Sequence, residues 1–238
     1  MHFYLESAFA VAYLFLWSVG LYVQLFETLR TKEADGYSLD TQIFFLIGML
    51  CYTSYVIYFI LYVKCDFISL CDLVSSIQLL VLCIIILSLT LYYPRSTNRF
   101  HFSSYIIISI VFMMSSSFYG LQLKFNTISY NDFILFWGIS ASVLDGLESI
   151  YQIALNYDRK SCDGLAIEMI ISEGLASLLM LMEQAVEAYS DKDVKLNVPK
   201  ITIAITCLTS IVIILYQYYF LYNVKNKVSN NAKEVLAA

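Results

Sequence analysis

The chain has 238 residues, of which 60% are hydrophobic and 14% are charged, and its formal net charge is −5. Soluble domains are about one quarter charged, so this composition places the chain among membrane proteins. Its basic residues form no stripe, which excludes a nucleic-acid partner, and the expected surroundings are a lipid bilayer.

Seven apolar stretches reach the length of about 20 residues that a bilayer requires. We expect spans at Ser7–Thr28, Thr41–Val63, Phe67–Tyr93, Phe102–Leu123, Tyr130–Tyr157, Ala166–Tyr189 and Val198–Tyr222. The fifth is the least hydropathic, because Asp145, Glu148 and Gln152 interrupt it. The first has no preceding basic residue and no cleavage site, so we expect a retained helix. The predicted fold class is an all-α membrane protein with seven transmembrane helices.

Two stretches of the chain, Trp17–Asp40 and Asp145–Glu168, resemble each other at one constant shift along the sequence. The paired positions are Gln24 and Gln152, Lys32 and Lys160, Asp35 and Asp163, Gly36 and Gly164, and Asp40 and Glu168. A glutamine in an apolar helix is costly unless it is paired or lines a cavity. Gln24 and Gln152 are therefore candidate substrate-binding residues; alternatively, each ties its helix to a neighbour.

The repeat predicts the organisation of the domain. Its copies begin at the first and fifth spans, an even separation, so both copies cross the membrane in the same direction. We expect one membrane domain, 1–238, built from parallel three-helix repeats at 1–93 and 130–222. A linking helix at 102–123 joins them, and a polar, disordered cytosolic tail occupies 223–238. Parallel repeats are a known transporter plan, with the site between the halves.

Lysine and arginine residues in short loops predict the orientation. With a lumenal N-terminus, the cytosolic side holds nine of them and the lumenal side five. The cytosolic set is Arg30, Lys32, Arg95, Arg99, Arg159, Lys160, Lys225, Lys227 and Lys233, and the lumenal set is Lys64, Lys124, Lys192, Lys195 and Lys200. The C-terminus and both repeat turns would then face the cytosol.

Acidic residues in the second copy suggest proton chemistry. Asp145, Glu148 and Gln152 follow an i, i+3, i+7 spacing that places them on one helix face. The sixth span adds Glu173. Carboxylic acids inside a membrane mark proton pathways, since their charged form is poorly solvated there. We expect Glu173 to be the main proton carrier, with Asp145 or Glu148 as a second carrier or a cation-binding wall. Alternatively, Asp145 and Glu148 are solvated at the membrane edge, and Glu173 only hydrogen-bonds another helix.

Other polar residues receive simpler interpretations. Glu183 and Glu187 are expected to be solvated at the end of the sixth span, and Asp72 to complement a helix dipole. His101 lies in a loop with no sign of metal or catalytic work. Cys65 and Cys71 flank one loop and could form a disulfide on an oxidising side. No catalytic motif, metal-ligand spacing or phosphate-binding loop is present, so we expect no enzyme and no cofactor.

The two copies resemble the PQ-loop repeats of the cystinosin family, which are seven-helix lysosomal or vacuolar amino-acid/proton symporters. The matching residues of the first copy are Trp17, Ser18, Val19, Tyr22, Gln24, Lys32, Gly36, Ser38, Asp40 and Gly48. Those of the second are Gln152, Leu155, Asn156, Arg159, Lys160, Ser161, Gly164 and Ile167. The resemblance implies the same fold, an amino-acid substrate and protons as the coupling ion.

The chain also departs from the family pattern. Val23 and Tyr151 replace the proline of each proline–glutamine pair, which leaves Gly20 and Gly146 as the nearest flexible points. Glu148 stands where the family has a lysine that would meet a substrate carboxylate. Glu173 stands at the family's proton-coupling aspartate, and Phe45 replaces a polar asparagine.

The sequence therefore predicts proton-coupled export of a small amino acid, cystine or a related one, from an acidic organelle lumen to the cytosol. A cationic amino-acid transporter of the same fold is an alternative, because the change to Glu148 makes the pocket more acidic. A second alternative is a cargo or nutrient receptor related to the ER retrieval receptor. Such a receptor requires basic residues within the spans, whereas the sequence indicates acidic ones.

Overall fold

The protein is represented by a computed structural model that describes residues 2–63, 70–95, 98–125, 129–190 and 197–222. The helices are α1 His2–Thr31, α2 Leu39–Tyr58, α3 Leu70–Tyr92, α4 Phe102–Phe125, α5 Tyr130–Arg159, α6 Ile167–Ser190 and α7 Val198–Tyr216. Short π-helical segments, Phe59–Val63 and Gln217–Tyr222, extend α2 and α7. All seven helices are long and apolar enough to cross a membrane, which confirms the predicted fold class.

Two predictions fall on residues outside these ranges. The described part of the chain includes Cys71, whose thiol is free, but not Cys65, so the structure gives no support to the suggested disulfide. The same holds for the polar tail at 223–238.

The internal repeat extends to the helix boundaries. The first residues of α1, α2 and α3 are related to those of α5, α6 and α7 by the same shift that relates Gln24 to Gln152. The turns that follow α1 and α5 also match, because Lys32 and Lys160 both adopt left-handed backbone conformations, with φ values of 55° and 53°. The two halves are therefore alike in backbone as well as in sequence.

The helices of the two halves interleave. The most extensive helix contacts join α1 to α6 and α2 to α5, so each pair combines one helix of the first half with one helix of the second. Within the first half α3 packs on α1 and α2, and within the second α7 packs on α5 and α6. The linking helix α4 packs mainly on α5. The division at 1–93 and 130–222 stays a prediction.

The turns of the two halves meet at a pair of glycines. A Cβ atom on Gly36 would lie 2.0 Å from the carbonyl carbon of Gly164, and Gly164 has a φ of +83°. Only glycine allows so close a backbone approach together with that conformation. Both turns therefore lie on the same side of the bundle, in contact with each other, and we call this the turn side.

Close packing also explains a second glycine. At Gly20 a Cβ would meet the carbonyl oxygen of Met169 at 3.3 Å, so this glycine allows α1 to approach α6. Helices α1 and α5 continue unbroken through Gly20 and Gly146, the two expected flexible points.

Candidate functional site

The two repeat glutamines each bind the turn of the opposite half. Gln24 is 1% exposed; its Nε2 donates to the carbonyl of Gly164 at 3.2 Å and its Oε1 accepts from the amide of Ala166 at 2.9 Å. In the same way, Gln152 Nε2 donates to the carbonyl of Gly36 at 2.9 Å, and its Oε1 accepts from the amide of Ser38 at 2.8 Å. Each amide thus satisfies a backbone N–H at the start of a helix and a neighbouring carbonyl.

This exchange bears on the predicted role of the glutamines in substrate binding. Both side chains are buried, and both ends of each amide bind backbone of the protein itself. Gln152 also donates to Asn156, which in turn donates to Gln217 on the extension of α7. These contacts favour the alternative in which Gln24 and Gln152 tie helices to their neighbours.

A buried cluster of charges lies at the opposite side of the bundle from the turns. Lys200, 1% exposed, places its Nζ 2.9 Å from Asp72 Oδ1 and 2.6 Å from Glu183 Oε2. The hydroxyl of Tyr13 accepts from Lys200 at 3.2 Å and donates to Asp72 at 2.6 Å. Four helices, α1, α3, α6 and α7, are joined by this cluster.

Three interpretations from the sequence are wrong at this cluster. Lys200 is buried and does not lie in a solvated loop, so it no longer counts among the loop charges that predict the orientation in the membrane. Glu183 is not solvated: it is 6% exposed and pairs with Lys200. Asp72 does lie in the first turn of α3, as predicted, and it also pairs with Lys200. A basic residue does lie within a span, contrary to expectation, although two carboxylates neutralise it.

The cluster borders a cavity between the two halves that also reaches the predicted acidic residues. Its lining includes Asp72 and Lys200 at one end and Asp145 and Glu148 on α5. Asp145 lies midway along α5, where its Oδ2 accepts a hydrogen bond of 2.7 Å from the hydroxyl of Thr206 on α7. Both α5 acids therefore lie inside the bundle, in disagreement with the alternative that places them at the membrane edge.

Glu148 and Glu173 complete the acidic group. In the described part of the protein, Glu148 Oε2 is buried without a hydrogen-bond partner. Glu148 interacts electrostatically with both Asp145 and Glu173. The described lining of the cavity does not include Glu173, which is half-buried on α6. The structure thus brings the three predicted acids together, with two of them on the cavity wall, whose described lining includes neither repeat glutamine.

The first half carries no acids at the matching positions. Under the repeat shift, Asp145 corresponds to Trp17 and Glu173 to Phe45, and both aromatic side chains line the cavity. Glu148 corresponds to Gly20, the residue in close contact with α6. On the cavity wall the second half therefore contributes Asp145 and Glu148, and the first half contributes Trp17 and Phe45.

A further set of contacts joins the connection after α3 to the first turn. The side chain of Asn98 accepts from the amide of Leu39 and donates to the carbonyls of Ala34 and Tyr37, each at 2.7 Å. Buried Asp40 lies 2.6 Å from His101 Nδ1. His101 thus has a structural partner that the sequence did not reveal.

The comparisons with known proteins agree with the resemblance of the repeats. No protein-family model matches the chain. Cystinosin of Drosophila melanogaster is 24% identical over 206 residues, which cover 80% of this chain and 51% of the relative. A cystinosin homolog of Caenorhabditis briggsae is 23% identical over 226 residues, with 88% and 56% covered. The chain spans about half the length of these relatives. These matches suggest a cystinosin-like, non-enzymatic membrane protein, and they leave the PQ-loop assignment a prediction.

Proposed function

We propose that the chain exports a small amino acid, cystine or a related one, from an acidic organelle to the cytosol together with protons. The observation that carries this proposal is the cavity between the two halves, lined by the half-buried acids Asp145 and Glu148. Sites between repeats near the membrane centre are the usual place for substrate in transporters built from repeats. The two cystinosin relatives support a transport role in a lysosomal or vacuolar membrane.

In this proposal Glu173 is the main proton carrier and Asp145 a second one. Ionisable residues within spans are costly, and they commonly form proton relays. Glu148 interacts with the charges of both, so protonation of one acid changes the electrostatic energy of the others. Protons would load on the lumenal side and leave on the cytosolic side.

The proposed orientation puts the turn side in the cytosol and the N-terminus in the lumen. Removing buried Lys200 from the loop charges leaves four lumenal residues, namely Lys64, Lys124, Lys192 and Lys195, against the nine cytosolic ones. The asymmetry that favours this orientation is therefore larger than the sequence alone indicated.

A cationic amino acid is the second candidate substrate. Lys200 is already paired with two carboxylates, so the remaining charges on the cavity wall are those of Asp145 and Glu148. Trp17 also lines the cavity and offers an aromatic surface of the kind that attracts cations. These features favour an ammonium group over a free carboxylate.

Purified protein in proteoliposomes with an acidic interior tests both substrates. Efflux of labelled cystine or lysine should depend on the pH gradient and be abolished in Glu173→Gln. The matched control is Glu168→Gln, an exposed glutamate one and a half turns earlier on the same helix. Equal transport by both variants would refute the role of Glu173.

A charge reversal on the cavity wall tests selectivity. Glu148→Lys should shift preference from cationic toward zwitterionic or anionic solutes, and unchanged selectivity would refute a pocket role for Glu148. Failure of every amino acid to move in wild-type protein, together with binding of a peptide tail, would instead favour the receptor alternative.

A further inference from the structure

A groove on the turn side separates the linking helix from the first half. Ile43 and Ile47 of α2, Leu91 of α3, and Tyr105 and Ile108 of α4 line its apolar walls. Because α4 packs mainly on α5, it leaves this space beside α2 and α3 unfilled. The groove is distinct from the cavity between the halves, with which it shares no lining residue.

Two arginines close the outer end of the groove. Arg95 and Arg99 belong to the connection between α3 and α4 and line the same space as the apolar walls. In the described part of the chain, Arg95 Nη1 is buried and has no hydrogen-bond partner. A guanidinium group remains charged at all physiological pH values, and leaving a buried N–H unpaired is costly. An anionic ligand would pair with Arg95 Nη1 and with the charge of Arg99, which is exposed.

Two polar side chains near the arginines, Asp40 and Asn98, already have partners within the protein. The carboxylate of Asp40 accepts hydrogen bonds from the backbone amide of His101 and from the hydroxyl of Ser104, and it also contacts the His101 ring. Asn98, which lines the groove, directs its side chain to backbone groups of the first turn. Neither side chain is therefore free to bind the arginines.

We propose that this groove binds an anionic phospholipid. Its headgroup would lie on Arg95 and Arg99, and one acyl chain would follow Ile43 and Ile47, which lie one helical turn apart. A phospholipid matches this groove because its anionic headgroup suits the arginines and its acyl chain suits the apolar walls. A soluble phosphate would bind the arginines alone and would leave the apolar walls uncovered. Basic pockets between transmembrane helices are known lipid headgroup sites. The bound lipid would fill the space between α4 and the first half.

Native mass spectrometry of the full chain tests this site independently of transport. The protein is released from micelles that contain equal amounts of dioleoyl phosphatidylserine and dioleoyl phosphatidylcholine, and the retained lipids are counted. Wild-type protein should retain one phosphatidylserine. The double variant Arg95→Gln, Arg99→Gln should bind it about thirtyfold more weakly, because each arginine near a headgroup contributes about one kcal/mol.

Two further variants separate the groove from general surface charge. Arg30→Gln with Arg159→Gln removes the same charge from exposed helix ends on the turn side and should leave retention unchanged. Ile47→Trp fills the groove while keeping both arginines, and it should reduce phosphatidylserine retention. Equal loss in both double-arginine variants, or full retention in Ile47→Trp, would overturn the proposal. Retention of inorganic phosphate in place of lipid would also overturn it.

Discussion

Replacing Gln152 by alanine separates the two roles that this glutamine can have. The substitution removes the acceptor for the Ser38 amide and the donor to the Gly36 carbonyl, at 2.8 Å and 2.9 Å. If the glutamine ties the halves together, the substitution lowers the free energy of unfolding. If the glutamine binds substrate, the substitution raises the KM of transport.

The expected magnitude follows from the two backbone groups that lose their partner. A buried group left unpaired costs about 1–3 kcal/mol, and values near the lower end apply because hydrogen bonds in membrane proteins are weaker on average. Two groups give a loss of about 2 kcal/mol in the free energy of unfolding. For a chain of this size, that lowers Tm by about 4–8 °C.

Thermal unfolding monitored with a thiol-reactive fluorescent maleimide measures this loss. The assay suits the chain because Cys162 lies in the turn of the second half, where burial raises the pKa of its thiol to about 11 and keeps it unreactive until the turn opens. Gln24→Ala should lower Tm by a similar amount, since its contacts are equivalent. An unchanged Tm for Gln152→Ala with a raised KM would refute the structural role.

Three further substitutions test the packing. Gly36→Ala should abolish the yield of folded protein in size-exclusion chromatography, because its Cβ would lie 2.0 Å from a facing backbone carbon, whereas Gly120→Ala, with open space around it, should not; equal yields would contradict the close approach. Lys200→Met should lower the free energy of unfolding by about 3–5 kcal/mol in thermal unfolding, and adding Asp72→Asn should recover part of the loss, since it removes a carboxylate left without its counter-charge. Asn98→Ala should speed hydrogen exchange in the first turn, since three hydrogen bonds of 2.7 Å disappear; unchanged exchange would show that the connection does not hold this turn.

The sequence predicted the helices well because the bilayer imposes a simple requirement. Each span must be apolar over about 20 residues, so hydropathy located the helices, the fifth least clearly because Asp145, Glu148 and Gln152 interrupt it. The repeat shift, found from the turn motifs, reappears in the starts of α2 and α6 and of α3 and α7. Short-range pattern was sufficient for this level of structure.

The contacts of the polar residues were harder to predict because they depend on packing between distant helices. Hydropathy places Lys200 in a loop, since it stands two residues after the start of α7 and close to a charged segment. Its burial follows only from the approach of Asp72 on α3 and Glu183 on α6, each contributed by a separate part of the chain. One signal was present in the sequence, because the repeat shift that carries Gln24 onto Gln152 also carries Asp72 onto Lys200.

That equivalence indicates why the two halves differ. Asp72 and Lys200 are each the third residue of their helices, α3 and α7, and they form an ion pair of 2.9 Å between the halves. Two identical halves would place like charges at this contact, and like charges buried together repel strongly. The ion pair therefore requires two different sequences in one chain. The same divergence gives the cavity the acids Asp145 and Glu148 from the second half and the aromatic residues Trp17 and Phe45 from the first, so a near-symmetric backbone encloses a chemically asymmetric site.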